Sequence, residues 1–244
     1  MNNQEDPRLY YRFKIDHPRL CYVKQNGIDL GTVTEISYGG FSLNSTPKTN
    51  PSRKNTDTIE LYFLDKSIFC QVEQRHNRQN KIGYQLKHEQ TVVLSFLKEI
   101  IPWIRAGAAL SYLQKLEREG FEEELPEYLT FEGPIPVEIE WLGLDANKSP
   151  NFSLSFNQDK VIYQLRKQNG HLETLHNVWP GGESGDLRNT LSLDTTILRN
   201  GLAILVGLSS YGDTSTYYQL IDCIINLYEN WVTNSNKNLA KKTA

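Results

Sequence analysis

Two short clusters near the start of the chain carry the side chains that could recognise a ligand. In Arg8-Leu9-Tyr10-Tyr11-Arg12 two arginines stand four residues apart. In Glu35-Ile36-Ser37-Tyr38-Gly39-Gly40 a carboxylate, a hydroxyl and a glycine fall together. A guanidinium is a planar fork of donors that fits phosphate oxygens or the O6/N7 edge of guanine. Its flat face also stacks on a base. A carboxylate can accept from the N1 and N2 hydrogens of guanine, and a glycine lets a ligand approach the backbone. One cluster favours anionic and acceptor-rich edges, the other favours donor edges. Together they suit a ligand with two guanines and two phosphates.

These residues need a frame, and the pattern of the first 88 residues predicts one made of strands. Runs rich in Val, Ile, Tyr, Phe and Thr cover 11–15, 19–24, 28–37, 41–44, 58–64, 68–74 and 81–87, with turn chemistry between them. Asn26-Gly27 is a hairpin signal. Val33 and Ile36 are out of phase for a simple period-two strand, which predicts a bulge beside Glu35. The polar tract 45–56, with two prolines, reads as a loop. Seven short strands with tight turns predict a small antiparallel barrel or sandwich.

The period then changes. Val93, Leu97, Ile100, Ile104, Leu113 and Leu116 recur at helical spacing, and Pro102 is expected to kink or divide that helix. The acidic segment 121–127 reads as a linker. Strands return at 137–141, 152–156, 161–166 and 172–178, with a second hairpin signal at Asn169-Gly170. Apolar segments at 195–208 and 216–231 read as helices, the second amphipathic through Tyr217, Leu220, Ile221, Ile224, Leu227, Tyr228 and Trp231. The polar residues 233–244 are expected to be disordered. The fold class is therefore α+β. An N-terminal β-barrel and its helix occupy 1–122, and a C-terminal α+β domain with antiparallel strands and a long terminal helix occupies 123–244.

Composition excludes several classes of function. The 244 residues hold 26 Lys+Arg against 29 Asp+Glu, a net charge of -3, which argues against a strongly basic DNA or RNA binder. Cys21, Cys70 and Cys223 are scattered and odd in number, as expected of thiols in a reducing cytoplasm rather than a disulfide framework or zinc site. No run approaches the about 18 apolar residues of a membrane span, and the N-terminus lacks the pattern of a signal peptide. A cytoplasmic protein is expected. His171 and His176 stand five apart on one strand and face opposite sides, a spacing that suits no compact metal site. The Gly-rich WPGGESGD, 179–186, lacks the Lys and the strand–helix context of a phosphate loop. No triad order, carboxylate pair or metal motif points to catalysis.

RLYYRF from Arg8, followed from Thr34 by TEISYGGFSL, resembles the PilZ domain, the bacterial receptor module for cyclic di-GMP. That family has an RxxxR motif in a flexible N-terminal segment and a [D/N]xSxxG motif on its barrel. Arg8 and Arg12 match the first; Ser37 and Gly40 match the second. The strand KIGYQLKH before a helix also agrees, and the resemblance covers about residues 6 to 105. Two positions depart from it: Glu35 stands where the family has Asp or Asn, and Pro7 where relatives often carry another Arg.

The resemblance implies a receptor, not an enzyme. Cyclic di-GMP would be its ligand, with no further cofactor and no metal. Arg8, Arg12, Glu35, Ser37 and Gly40 would bind it, with Arg75 or Arg78 as an added contact. The arginine segment would order over the nucleotide. The C-terminal domain would then pass the signal to a protein partner, with motility, pili, biofilm or virulence as output. The alternative is a degenerate PilZ barrel that binds no nucleotide and serves as a protein-interaction scaffold. Exposed aromatics on either long helix could also form a homodimer.

Overall fold

The computed structural model describes residues 11–15, 17–45, 57–78, 81–87, 90–120, 125–130, 136–158, 161–178, 188–189, 193–210 and 214–242. The chain divides into two compact units, Met1–Arg105 with Pro126–Tyr128, and Ala106–Leu125 with Leu129–Ala244. The division runs through a helix.

The first unit is an antiparallel barrel. Its strands are β1 (Phe13–Lys14), β2 (Cys21–Gln25), β3 (Ile28–Ser37), β4 (Gly40–Ser45), β5 (Asp57–Phe63), β6 (Lys66–Arg78) and β7 (Lys81–Leu86). They pair in the order β1-β3-β2-β5-β6-β7-β4, and β3 also pairs with β4. That last ladder closes six strands on themselves, so β2 to β7 present no open edge. β1 lies outside the ring, paired to β3. Period-two alternation builds the core: Ile59, Leu61 and Phe63 point inward from β5, while Thr58, Glu60 and Tyr62 point outward. Val33, Phe41 and Leu43 fill the same interior. Asn26 and Gly27 both take positive φ, 51° and 79°, as the β2–β3 hairpin requires. The bulge expected beside Glu35 is present: the β3–β4 register shifts between Val33 and Glu35.

Helix α1 runs over Thr91–Glu119 without interruption, so Pro102 does not divide it. Proline removes one backbone donor from the ladder. The packing of Ile100, Ile101 and Ile104, all buried, holds the helix across that gap. Gly120, at φ 71°, ends it in the left-handed conformation that glycine accepts without strain. A short 3-10 turn follows at Glu127–Leu129.

The second unit carries a five-stranded antiparallel sheet, in order β12-β11-β10-β9-β8. The strands are β8 (Val137–Leu144), β9 (Pro150–Gln158), β10 (Val161–Gln168), β11 (His171–Val178) and β12 (Arg188–Asn189). Helices α2 (Thr195–Ser209) and α3 (Thr214–Lys242) close the chain. Asp194 caps α2, its carboxylate accepting from the Thr196 and Ile197 amides. α3 continues to Lys242, which corrects the expectation of disorder from residue 233. Leu220, Ile221, Ile224 and Ile225 are buried and anchor its first half. Later turns then extend a helix already nucleated, at one hydrogen bond per residue. Of the expected loop 45–56, Ser45 belongs to β4 and the rest lies outside the described residues, as does the expected loop 179–186.

Among the described residues no helix is long and apolar enough to cross a membrane. Among them, also, no group of three or more His, Cys, Asp and Glu side chains could hold a metal ion. Cys21 and Cys70 are buried, which pushes both thiols up, that of Cys70 to about 12.

Candidate functional site

Two of the candidate residues, Arg12 and Glu35, meet on the outer face of the barrel. Strand pairing sets Lys14 opposite Glu35, Glu35 opposite Ser42, Ser42 opposite Gly83, and Gly83 opposite His76. Directly paired residues share a face, so five strands contribute to one polar row. Gly83 leaves room in that row: a Cβ there would lie 1.9 Å from Cε1 of His76, whose ring covers the glycine. The neighbours of Ser42 along its strand, Phe41 and Leu43, point into the core.

Arg12 enters this row from the segment before β1. Phe13 is buried, so alternation turns Arg12 and Lys14 outward. Tyr11 anchors the segment by stacking on Tyr128 of the 3-10 turn, centroids 3.7 Å apart and planes at 9°. Arg12 Nη1 donates to Ser42 Oγ at 3.2 Å and lies 3.7 Å from Glu35 Oε2. From β7, Lys81 Nζ donates to Glu35 Oε1 at 3.0 Å. One carboxylate therefore holds two cations. Partial burial disfavours the charged form of Glu35, but the Lys81 hydrogen bond and charge, the Arg12 charge and the Ser42 hydroxyl outweigh it. The carboxyl is held below its ordinary value. The three charges sum to +1, and all three side chains remain partly exposed.

Ser37 and Gly40 flank the row at the β3–β4 turn. Ser37 Oγ donates to the Gly40 carbonyl at 3.1 Å and is buried. This bond staples the turn and leaves the hydroxyl oxygen's lone pairs as acceptors. Gly40 is dictated by barrel closure, because a Cβ there would fall 2.2 Å from the Tyr84 carbonyl oxygen on β7. Thr34, at the bulge, donates from its hydroxyl to the Ser42 carbonyl at 3.3 Å. The bulge thus re-aims Glu35 relative to Val33 and holds β4 against it.

The remaining candidates fall elsewhere. Arg75 sits at a second bulge, in β6, where it donates from Nε to Gln85 Oε1 and pairs through Nη1 with Glu73 at 2.9 Å. Gln85 is opposite Gly40, so Arg75 lies two strands from the motif. Arg78 closes β6 in register with Lys81. Arg8 lies outside the described residues. Sequence reasoning missed Lys81 and Ser42. Each alternates with core residues, Lys81 before Ile82 and Ser42 between Phe41 and Leu43, and that outward phase was the available signal.

No family model matches this chain. No curated protein matches it. Among solved structures, an uncharacterised Legionella protein is similar over 46 % of this chain and 98 % of its own, at a TM-score of 0.30 and 17 % identity.

Proposed function

We propose that the barrel is a PilZ-like receptor for cyclic di-GMP. The observation that carries this reading is the convergence of two motifs far apart in sequence. Arg12 of the RxxxR motif docks on Glu35 and Ser42, beside the turn that Ser37 and Gly40 build. The arrangement offers donors for phosphate and guanine acceptors, and a carboxylate for guanine donors. Arg8 would complete the basic arm. The ligand would rearrange the arginine segment, and the second unit would engage a protein partner. Such a protein is a cytoplasmic signalling receptor rather than an enzyme. Calorimetric titration of cyclic di-GMP into the full chain, with GTP and cyclic di-AMP as controls, tests this. Micromolar or tighter binding with one or two nucleotides per chain is expected. Absence of heat from folded protein would refute it.

Specific observations favour a second reading, a nucleotide-independent adaptor. Ser37 is engaged in its own turn, Gly40 is required by Tyr84, and Glu35 already carries two cations. Each of these three residues thus has a structural task. The same titration separates the two readings.

A further inference from the structure

We propose that Lys81 is a phosphate-binding residue of this site, held on Glu35 and passed to a ligand phosphate when Glu35 takes the guanine edge. The inference rests on the cyclic di-GMP reading above. It concerns a residue outside both motifs.

Lys81 stands on β7, and β4 separates it from Glu35 on β3. Its side chain therefore crosses the outer face of a whole strand to bring Nζ to the carboxylate. Arg12 reaches the same carboxylate from the opposite side, so two cationic heads converge on one point. Such a pair suits a phosphodiester: the guanidinium offers a fork and the ammonium a point charge. Exchange between carboxylate and phosphate costs little, because Glu35, Arg12 and Lys81 keep 27 %, 33 % and 43 % of their side-chain surface in water. When Glu35 turns to the guanine N1 and N2 hydrogens, Lys81 is left beside Arg12 without its partner. A phosphate brought by the same ligand supplies the missing charge. Each group then exchanges one hydrogen-bond partner for another, and no polar group is stranded.

The opposite role makes the opposite prediction. If Lys81 only blocked Glu35, removing it would tighten binding. The experiment is calorimetric titration of cyclic di-GMP into the full chain and its Lys81→Gln and Lys81→Arg variants, at low and moderate salt. Lys81→Gln is expected to bind about tenfold more weakly at low salt. That gap should narrow as salt screens the contact. Lys81→Arg keeps the charge and should stay within about threefold of the parent. It also shows that substitution at 81 spares the fold. Parent-like or tighter binding by Lys81→Gln would overturn the role of Lys81 and leave the receptor reading standing. No binding by the parent protein would overturn both.

Discussion

Each unit of this chain carries a cation–carboxylate cluster on antiparallel strands, and the two clusters differ in burial and in charge balance. In the second unit Lys167 Nζ donates to Asp145 Oδ2 at 3.1 Å and to the Pro150 carbonyl at 2.9 Å. The side chains keep 1 % and 6 % of their surface. The other Asp145 oxygen accepts from the Asn147 and Ser149 amides, each at 2.9 Å. The Ser149 amide above all, with Lys167 and the Asn147 amide, holds the Asp145 carboxyl below its ordinary value against the effect of burial. Charges balance one to one, and both groups are engaged within the chain. In the barrel one carboxylate faces two cations in partial contact with water. A saturated, sealed pair can only fasten the β8–β9 turn to β10. An exposed cluster with surplus charge can trade partners.

The sealed pair should give the largest effect on stability. Lys167→Met fills a similar volume but leaves Asp145 without its counter-charge. The melting transition of the second unit is expected to fall by about 5 °C or more. Adding Asp145→Asn should recover part of the loss, because two uncharged partners leave no stranded ion. Calorimetric melts of the parent, the single variant and the double variant decide it. Identical melts for all three would remove the contrast between the clusters.

The frame under the exposed cluster should rank next in intolerance, below the sealed pair. Gly40→Ala places a methyl against the Tyr84 carbonyl, backbone that cannot rotate away. β4 must then part from β7, at a cost of about 1–3 kcal/mol. Urea unfolding followed through the barrel measures this. A parent-like midpoint would show that the closing ladder is looser than its geometry.

Arg12→Ala probes the exposed cluster itself and should separate affinity from stability. Barrel stability is expected to change by no more than about 0.5 kcal/mol, as for other partly exposed ion pairs. Cyclic di-GMP affinity should fall by about 1–3 kcal/mol or more, the worth of a bidentate charged contact. Unchanged affinity in a variant of a protein that binds the nucleotide would move the site away from Arg12.

Much of the frame was legible because it follows from local chemistry. Asn26-Gly27 permits one hairpin, β3 has the residues predicted for it, and the phase break after Val33 announces its bulge. The approach of Arg12 to Glu35 follows from that frame. Lys81 is harder to read, because its place beside Glu35 depends on the register of β4 against both β3 and β7. No spacing within one segment encodes that register. Local rules misled where packing overrode them. Pro102 suggested a break and the polar residues after 232 suggested disorder, yet both lie in helices anchored by buried neighbours. Ser37 and Gly40 teach a further point: a turn staple and a barrel closure demand the same residues as a binding motif, so sequence alone cannot separate the two demands.

The smallest effect sharpens the comparison through pH. Glu35 titrates below its ordinary 4.5 in the folded chain, because Lys81, Arg12 and Ser42 outweigh its partial burial. A carboxyl depressed by folding adds stability that is fully present above its unfolded pKa and is lost as pH falls through the folded one. The stability gap between the parent and Glu35→Gln should therefore be constant from neutral pH down to about 5 and fade in more acid solution. Its size should stay below about 1 kcal/mol, since water screens all three side chains. Denaturant unfolding of the barrel across this pH range, for parent and variant together, gives the gap directly. A gap that widens on acidification would mean that the folded chain favours the protonated carboxyl. Burial would then dominate at Glu35, and a neutral carboxyl rather than a carboxylate would face Arg12 and Lys81, removing the ion pairs on which the comparison with the sealed cluster rests.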